Sequence, residues 1–402
     1  MQAEIGVAAP SVRGGAASRG EADRTPPGAA IDRVAGRRSA RPAGRAETDL
    51  TGLLDRVRLI GFEASEFDSL RRAIADIPNG YRQMPTMVPV GGALLPLTPP
   101  IAPKATPNWE QTYASAVYDR HGFVVPISGR RPESLAFAPV AIDPAQFVPS
   151  RVIRRPAVYG GLIYPQFGHN LLELPGRLWA CPDPGDRRPV VFHQVQSPAN
   201  RMDEVWPYLG PLLLAAGIGR RRIVVVRRPI LCEDLLVPQP TVAISQSIRA
   251  GFHDVYRRIA RRMLLPPVGA HRRIYLSRSR FRPTRPTPVN ERALEARLAE
   301  ALGFKVIYPE GLSVERQIAH IRNAEIVAGL DGSALHMALF ARPGTMVISL
   351  ATRLLVNQAV IEYAAELRGR HIDIGGVPDE PSNWRLDVEA LVDRIAGLIA
   401  AG

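Results

Sequence analysis

The chain is poor in cysteine, and none of its apolar runs approaches the length of a membrane span. Two cysteines occur in 402 residues, with neither zinc-ligand spacing nor a disulfide framework, so we expect a reducing compartment. The best apolar candidate, residues 210–219, is far shorter than the roughly twenty residues that a membrane-spanning helix needs. The N-terminus lacks the apolar core of a signal peptide. These absences predict a cytoplasmic protein, with peripheral association with the inner membrane left open.

Several signatures of other protein classes are absent as well. The sequence has neither the Gly-x-x-x-x-Gly-Lys-Ser/Thr phosphate-binding motif nor the Gly-x-Gly-x-x-Gly dinucleotide fingerprint. No serine lies in a nucleophile elbow, and there is no Asp-x-Asp pair to anchor a catalytic metal. Metal-ligand spacing is also missing among five scattered histidines, His121, His193, His253, His271 and His320. We therefore expect neither a metal ion nor another cofactor.

Lysine is nearly missing too, because only Lys104 and Lys305 accompany the arginines among the 51 basic residues. An excess of Arg, Ala, Pro and Gly is typical of a high-GC bacterial genome, so the formal net charge of +13 says little about function. The arginines are spread along the chain without interleaved aromatic residues, and we predict no binding of nucleic acid. A basic surface would instead favour anionic ligands or an acidic membrane face.

Composition and periodicity divide the chain into six segments. Residues 1–48 are rich in Ala, Gly, Arg and Pro without apolar periodicity, which predicts disorder. Apolar residues at helical spacing over 50–77 predict a helix, and dense prolines over 84–107 predict an irregular linker. The predicted segments are a disordered tail (1–48), a helix plus a Pro-rich linker (49–108), an N-terminal α/β domain (109–244), a bridging helix (245–265), a C-terminal α/β domain (266–385) and a C-terminal helix (386–402).

Strands and helices alternate within both α/β segments. In the N-terminal segment the pattern predicts strands at 122–127, 152–163, 190–195 and 223–226, and helices at 171–180 and 202–216. In the C-terminal segment it predicts strands at 273–276, 305–308, 325–328 and 345–350, and helices at 291–302, 314–323 and 333–340. Alternation at this spacing implies parallel strands with right-handed crossovers. The residues alone therefore predict an α/β protein of two domains.

Polar or glycine-bearing loops follow the predicted strands of the C-terminal segment. These loops carry, in chain order, Ser277 and Arg278, then Glu310 and Leu312, then Asp331 to Ser333. In an open α/β sheet, ligands bind outside the carboxyl ends of the strands. The arrangement suits a phosphorylated, nucleotide-like ligand.

Short motifs at similar spacing cover much of both segments: 167–173, 274–278, 290–291, 303–304, 309–310, 312–313, 317–318, 324–325, 332–336 and 344–345. Their order resembles the glycosyltransferase family 61 domain of bacterial polysaccharide biosynthesis proteins and of eukaryotic xylosyl- and N-acetylglucosaminyltransferases. The resemblance implies two Rossmann-like domains facing a cleft, the GT-B architecture. It also implies that the 266–385 domain binds a nucleotide-sugar donor, and that the 109–244 domain receives a glycan or lipid-linked glycan acceptor. In a bacterium, the expected product is a capsular or exopolysaccharide.

The third loop joins a predicted strand to a predicted helix. Gly332 would let the backbone approach a ligand, and Ser333 would cap the helix, so that amides from Ala334 onward meet a diphosphate. Many members of the resembled family carry histidine where this chain has Asp331, whose carboxylate would face sugar hydroxyls or a cation. His336 either lines the pocket or is a packed, hydrogen-bonded histidine. An ordinary strand-to-helix turn is the alternative for the whole loop.

The other two loops supply further candidate contacts to the donor. Arg278, after Ser277, would form forked contacts to phosphate oxygens, or it belongs to a solvated basic loop. Glu310, with Leu312 beside it, would accept hydrogen bonds from ribose hydroxyls, or it satisfies amides of its own loop.

The upstream motif Phe-Gly-His-Asn-Leu-Leu-Glu supplies the candidate catalytic residues. His169 is a candidate general base because its unperturbed pKa lies near working pH. Glu173 follows at the four-residue spacing that places two side chains on one helix face, so it would orient the imidazole or act as the base itself. The alternative is that His169 caps the helix and fills the wall of the cleft.

Two hypotheses from different classes follow. The first is an inverting, metal-independent glycosyltransferase. The second is a non-catalytic protein that binds a sugar nucleotide or a glycan within a polysaccharide assembly complex; it is motivated by Asp331 and by the extra residue after Glu173, where the resembled family continues Glu-Leu-Pro-Arg.

Overall fold

Two largely parallel β-sheets and one short, two-stranded antiparallel sheet, flanked by helices, make up the part of the chain that the computed structural model describes. The described residues are 48–49, 57–63, 65–66, 68, 83–97, 115–129, 141–195, 202–244, 247–280, 288–353, 356–375 and 384–402. The predicted disordered tail lies outside them except for Thr48, as do most of the predicted helix at 50–77 and the latter half of the predicted linker. None of the described helices is long and apolar enough to cross a membrane.

The described strands are numbered in chain order. They are β1 Thr48–Asp49, β2 Val57–Ile60, β3 Met87–Leu95, β4 Arg151–Ile153, β5 Ala157–Ile163, β6 Val190–Gln194, β7 Ile223–Val225, β8 Ile230–Pro238, β9 Val242–Ala243, β10 Ser247–Ile248, β11 Arg273–Leu276, β12 Lys305–Ile307, β13 Ile326–Leu330, β14 Met346–Ala351 and β15 Arg368–Asp373. Central strands such as β5, β13 and β14 are buried along their whole length. Their sequences are unbroken apolar runs because both faces of a parallel sheet are covered.

The α-helices of the described residues connect these strands. They are α1 Phe167–Leu172, α2 Met202–Ala215, α3 Phe252–Arg262, α4 Glu291–Leu302, α5 Val314–Asn323, α6 Val356–Ala364 and α7 Val388–Ala400. Local chemistry sets several ends: the Ser313 side chain accepts from the Arg316 amide at the start of α5, and the Asp387 side chain does the same for Ala390 at the start of α7. Gly303, in the left-handed conformation at φ 66°, ends α4.

The larger sheet has seven strands in the order β1-β2-β15-β14-β13-β11-β12. All its neighbours are parallel except β1 and β2. The chain passes from β11 outward to β12 and then returns to β13 on the other side of β11, so the strand order reverses between β11 and β13. Such a topological switch point opens a crevice at the carboxyl ends of the two strands, where doubly wound folds bind ligands.

The second sheet has the strand order β3-β8-β5-β6-β7, with β4 also paired to β8. Its pairs are parallel except β3 with β8. The mixed α/β class is thereby confirmed. One hydrophobic cluster contains buried residues of both sheets and their helices, among them Val158, Val190, Ile274 and Val327, and residues 44–402 group as one unit. The division into two domains that face a cleft stays a prediction.

Two segments upstream of residue 109 belong to the sheets, which corrects the predicted helix and linker. Val57–Ile60 pairs in parallel with β15, and Val57 and Leu59 alternate inward with no exposed surface, so the helix predicted over 50–77 is wrong there. A run of four residues is too short to distinguish the two-residue period of a strand from the roughly 3.6-residue period of a helix. Pairing in the sheet therefore decides the structure of this segment. Residues 65–66 and 68 of the same predicted range are helical. Met87–Leu95 is a strand although it contains Pro89, because β3 lies at the sheet edge, where a missing N–H is tolerated.

Most of the remaining predicted elements are observed, and several differ in type or in bounds. The predicted strand at 122–127 is an isolated bridge at Val124 followed by a 3-10 turn, Pro126–Ser128. The predicted helix at 171–180 is the end of α1 followed by a 3-10 helix, Pro175–Ala180, which begins at a proline that has no amide to donate. A helix is observed at Phe252–Arg262 within the predicted segment 245–265, where Ser247–Ile248 is a strand, and its bridging of two domains stays a prediction. The sequence pattern does not predict β8, α6 or β15, and it predicts one strand where the structure has β4 and β5.

The incorporation of β2 into the larger sheet can be tested with a matched pair of leucine substitutions. Leu59 has no exposed surface, whereas Leu264 is 93% exposed. We expect Leu59→Ala to lower the free energy of unfolding by about 2–5 kcal/mol, since it leaves a cavity in the core. Leu264→Ala should change it by about 0.5 kcal/mol or less. Urea titration of both variants measures the difference, and equal small effects would contradict the placement of β2.

Candidate active site

The histidine of the upstream motif is held by a carboxylate on its own helix face. His169 and Glu173 follow the carboxyl end of β5, and Nδ1 of the imidazole lies 2.6 Å from Oε1 of the carboxylate. The other carboxylate oxygen accepts a hydrogen bond of 2.6 Å from the hydroxyl of Tyr164. Because a carboxylate accepts hydrogen bonds, Nδ1 carries a proton, and in the neutral form of the ring Nε2 has the lone pair. The His169 side chain retains 27% of its surface exposed and Glu173 retains 11%, so the imidazole is the more accessible of the two.

Asn170 braces Tyr164 and was not singled out from the sequence. Its side-chain oxygen accepts from the Tyr164 amide at 2.8 Å, and its nitrogen donates to the Tyr164 carbonyl at 2.7 Å. The same nitrogen donates to the Tyr208 hydroxyl at 2.7 Å. Asn170 has no exposed surface, so its polar atoms need partners of this kind. The Phe-Gly-His-Asn motif thus fixes both the histidine and the residue that supports Glu173.

A small cavity of about 20 Å³ adjoins Glu173 and is lined in part by Tyr159, Tyr164 and Arg177. Arg177 is 5% exposed and donates to the carbonyls of Ser128 and Gly129, both at 3.0 Å. A cavity needs only about 10–15 Å³ to hold a water molecule, so this space is too small for a sugar ring. It extends the buried polar surroundings of Glu173 and is not a candidate substrate pocket.

The upstream motif touches the loop after β13. A Cβ atom at Gly168 would lie 2.5 Å from the Ser333 Oγ and 3.1 Å from its Cβ, which is closer than atoms approach without displacement. A larger residue would require Ser333 to move, whereas glycine permits the observed approach. The contact brings His169, at the end of a strand of the second sheet, next to the switch-point loop of the larger sheet.

Arg278 lies on the other side of the same loop. Its Nη1 donates to the Asp331 carbonyl at 3.3 Å, and a Cβ at Gly332 would lie 3.4 Å from that nitrogen. Gly332 has a φ of 149°, which side chains rarely adopt. The Arg278 amide donates to Oε1 of the buried Glu291 at 2.9 Å, so Glu291 positions the arginine backbone. The loops after β11 and β13 therefore meet at the switch point, as the sequence predicts for Arg278 and Gly332.

Asp331 turns its carboxylate toward the sheet and not toward a phosphate. Burial raises its pKa to about 6, while the nearby His371 opposes the rise and Glu362 adds to it. The Gly332 amide and Arg278 also favour the ionised form of the carboxyl group. Oδ1 of Asp331 is buried and has no hydrogen-bond partner among the described residues. The carboxylate therefore belongs to a buried cluster beneath the loop.

Two of the predicted donor contacts are corrected by the structure. Ser277 has no exposed surface, and its hydroxyl donates to Oε1 of Glu295 at 2.6 Å, so it anchors α4 and does not face a ligand. Residues Leu335–Phe340 form a six-residue 3-10 helix whose N-cap is Ala334, without a side-chain cap bond. Ser333 therefore does not cap an α-helix, and the expected helix dipole is absent from this loop. The amides of Leu335 and His336 donate to the Gly332 carbonyl.

The three remaining predicted donor-binding residues lie in three different environments. Glu310 is exposed at the carboxyl end of the edge strand β12, and no described contact joins it to Arg278 or Asp331. Leu312 packs against the hydrophobic cluster beneath the sheet. His336 is 7% exposed, and its Nδ1 lies 3.1 Å from Oε1 of Gln358, so it is a hydrogen-bonded, packed histidine. It also interacts electrostatically with His169, which places it next to the candidate site.

Within the described ranges, no three His, Cys, Asp or Glu side chains converge as a metal site would require. The expectation that the protein uses no metal or other cofactor stays a prediction.

The comparison with protein families agrees with this geometry. Residues 167–348 match the family model described as Glycosyltransferase 61. The matched region covers slightly less than half of the chain, begins at the Phe-Gly-His-Asn motif and includes the loops after β11 and β13. The match supports glycosyltransferase activity. A search of curated proteins found no match to this chain.

The contact between Gly168 and Ser333 predicts an energetic coupling between the two residues. Gly168→Ala should lower the free energy of unfolding by about 1–3 kcal/mol, because the new methyl group overpacks the loop. Ser333→Gly in the same chain should recover part of the loss, giving a coupling of at least about 0.5 kcal/mol in a double-mutant cycle. Gly397→Ala, where a Cβ meets nothing within 4 Å, serves as the control. Additive effects would mean that the loops do not touch.

The raised pKa of Asp331 predicts a pH-dependent stability. The folded state holds this proton more tightly than the unfolded chain, whose pKa is near 3.8. The free energy of unfolding should therefore fall as the pH rises from about 4 through about 6, by up to roughly 2–3 kcal/mol for this group. Asp331→Asn should remove that contribution, so the wild type loses more stability than the variant between pH 4 and pH 7. Parallel urea titration curves at each pH would contradict the prediction.

Proposed function

We propose that this protein is an inverting glycosyltransferase that transfers a sugar from a nucleotide-diphosphate donor to a hydroxyl group of a glycan or lipid-linked glycan. The observation that carries the proposal is the contact of Gly168 with Ser333. It sets the His169–Glu173 pair beside the loop that also meets Arg278. A candidate base and a candidate phosphate ligand thereby lie on either side of one loop.

On the acceptor side, Nε2 of His169 takes the proton of the attacking hydroxyl group. The hydroxyl oxygen forms a bond to the anomeric carbon as the bond from that carbon to the diphosphate oxygen breaks. The electron pair of the broken bond leaves with the diphosphate, and the proton remains on the imidazole. Glu173 stabilises the resulting imidazolium through the bond of 2.6 Å to Nδ1. Tyr164 keeps the carboxylate in the required orientation.

On the donor side, Arg278 neutralises charge on the leaving diphosphate. Its guanidinium is always protonated and matches the fork of two phosphate oxygens. Stabilising charge as it develops is usually the largest single contribution to catalysis. The glycine at 332 lets the ligand approach the backbone of the loop. This role does not depend on a helix dipole, which the short 3-10 helix cannot supply.

The broader architecture and the biological setting belong to the same proposal. The two sheets would act as two Rossmann-like domains, with the donor at the carboxyl edge of the larger sheet and the acceptor at that of the second. The family resemblance favours a bacterial polysaccharide as the product and a cytoplasmic enzyme, and the basic composition suits a peripheral position at the inner membrane. No metal is needed, because Arg278 takes the role of the cation.

A non-catalytic sugar-nucleotide or glycan-binding protein is the second candidate. The features that motivated it do not disturb the site. Asp331 faces the buried cluster, and the extra residue after Glu173 lies in the 3-10 helix Pro175–Ala180, beyond the hydrogen bond to His169. A binding protein would also have no use for a carboxylate-oriented imidazole. We therefore favour the enzyme.

Catalysis is tested by a screen of nucleotide sugars followed by substitution of the pair. Donors that bind stabilise the folded state by mass action, so a thermal-shift panel identifies them. With such a donor, we expect His169→Ala and Glu173→Gln to lower turnover by about 10²–10⁴-fold while the thermal shift is kept. The anomeric configuration of the product, determined by NMR, should be inverted, and EDTA should leave the rate unchanged.

His121→Ala is the matched control, since His121 is an exposed histidine outside the candidate site. It should retain the wild-type rate. Binding of a donor without any turnover or hydrolysis in the wild type would favour the non-catalytic candidate. Retained configuration in the product would reject the inverting mechanism.

A further inference from the structure

A continuous row of buried polar side chains runs beneath the candidate site. Nδ1 of His336 lies 3.1 Å from Oε1 of Gln358, and Nε2 of Gln358 donates to Oε1 of Glu362 at 3.1 Å. Oε2 of Glu362 lies 2.8 Å from Nε2 of His371. Gln358 and Glu362 have no exposed surface and His371 has 1%. Four polar side chains are thus buried together between α6, β15 and the 3-10 helix that follows β13.

The hydrogen-bond chemistry of the row defines where its protons lie. A carboxylate only accepts hydrogen bonds, so both neighbours of Glu362 must donate to it. This requirement turns the amide nitrogen of Gln358 toward Glu362 and its oxygen toward His336. The imidazole of His336 must then donate from Nδ1, which leaves the lone pair of Nε2 as an acceptor. Burial lowers the pKa of His336 to about 4, so the ring is neutral.

Both ends of the row reach the candidate site. At one end, His336 interacts electrostatically with His169. At the other end, Nδ1 of His371 and Oδ1 of Asp331 are buried without a hydrogen-bond partner among the described residues. The two groups interact electrostatically, and each favours the charged form of the other. Asp331 is the residue whose carbonyl oxygen accepts from Arg278.

We propose that Gln358, Glu362 and His371 are positioning residues that hold His336 in one tautomer, with Nε2 turned to accept a hydroxyl group of the nucleotide sugar. The sugar-directed part rests on the proposed function, whereas the tautomer does not. All three residues lie beyond the region that matches the family model, which ends at Ile348. They act through His336 and Asp331 and do not touch the donor themselves. Burying polar groups is costly unless they are paired, and both polar atoms of Gln358 and of Glu362 have partners within the row.

The isosteric substitution Glu362→Gln tests the row. A glutamine has one accepting and one donating group where the carboxylate has two acceptors. If the side-chain nitrogen of the new glutamine faces Gln358, the side-chain amide of Gln358 must rotate by about 180° so that its oxygen accepts. The Gln358 nitrogen then faces His336, and the proton of His336 moves from Nδ1 to Nε2. If its nitrogen faces His371, then Nε2 of His371 must become an acceptor. In either case one of the two histidines changes its protonated nitrogen, although the side-chain volume hardly changes.

The measurement is a long-range ¹H–¹⁵N correlation spectrum of ring-labelled histidine in the full chain, assigned with single His→Gln variants. We expect an Nδ1–H tautomer for His336 in the wild type and a switched pattern for either His336 or His371 in Glu362→Gln. His253 is the internal reference, since its Nε2 bonds to the Leu339 carbonyl at 2.9 Å outside the row. If the variant does not fold, Gln358→Met gives a second test, in which His336 loses its Nδ1 partner and becomes a mixture of tautomers.

Unchanged tautomers of both histidines in a folded variant, or an Nε2–H tautomer of His336 in the wild type, would overturn the proposal. With a donor identified by the thermal-shift panel, Glu362→Gln should also lower kcat/KM by about ten- to a hundredfold, mainly through KM. A variant with the switched tautomer and wild-type kinetics would reject the sugar-directed role of His336. Failure of the panel to find any donor would count against the proposed function alone, because the spectra need no ligand.

Discussion

Gly168 has no side chain, and this allows the two loops of the candidate site to lie close together. The helix that carries His169 follows a strand of one sheet, while Ser333 follows a strand of the other. A Cβ atom at residue 168 would overlap the Ser333 hydroxyl, so any other residue there would require the Ser333 side chain to rotate or the two loops to shift. The distance between a candidate base and a candidate phosphate ligand therefore depends on a glycine that has no chemical function of its own. Displacements of about 1 Å at such a place can cost two orders of magnitude in rate.

Two kinds of polar environment lie on either side of this contact. Around His169, the hydrogen bonds of Tyr164, Asn170 and Glu173 hold an imidazole whose accepting nitrogen remains accessible. Beneath Gly332, the row from His336 to His371 is almost fully buried, and its polar atoms are paired mainly with one another. The first arrangement suits a group that exchanges a proton with a ligand. The second suits groups that keep one protonation state while ligands come and go.

The sequence predicts the C-terminal alternation well because unbroken apolar runs there end at glycine or polar turns. It also predicts the pairing of His169 with Glu173, since a spacing of four residues leaves few other geometries on a helix. It fails at Val57–Ile60, where four apolar residues carry too little periodicity to separate strand from helix. It also fails at Ser277 and Ser333, because burial of the first and close packing of the second are tertiary effects. A serine at a strand end looks the same in sequence whether it faces a ligand or a buried glutamate.

The buried row from His336 to His371 could not be predicted from the sequence, although one feature of the sequence indicates it. Gln358 and Glu362 are spaced by four residues in a short helix whose other positions are mostly apolar, which is typical of polar side chains that share a buried face. Without a known partner across the sheet, the same spacing describes a solvent-exposed stripe equally well. His371 supplies that partner only because β15 pairs beside β14.

An inverting transfer requires the base and the leaving group to lie on opposite faces of the anomeric carbon. One loop cannot supply both groups, because a single strand end presents its side chains to one side of a ligand. In the proposed mechanism, the carboxyl edges of the two sheets, which meet at the Gly168 contact, supply one group each. His169 comes from the second sheet and Arg278 from the larger sheet. The long separation of the two residues in the chain thus follows from the stereochemistry of the proposed reaction. The region that matches the family model, residues 167–348, includes both motifs, as a site built from two strand edges would require.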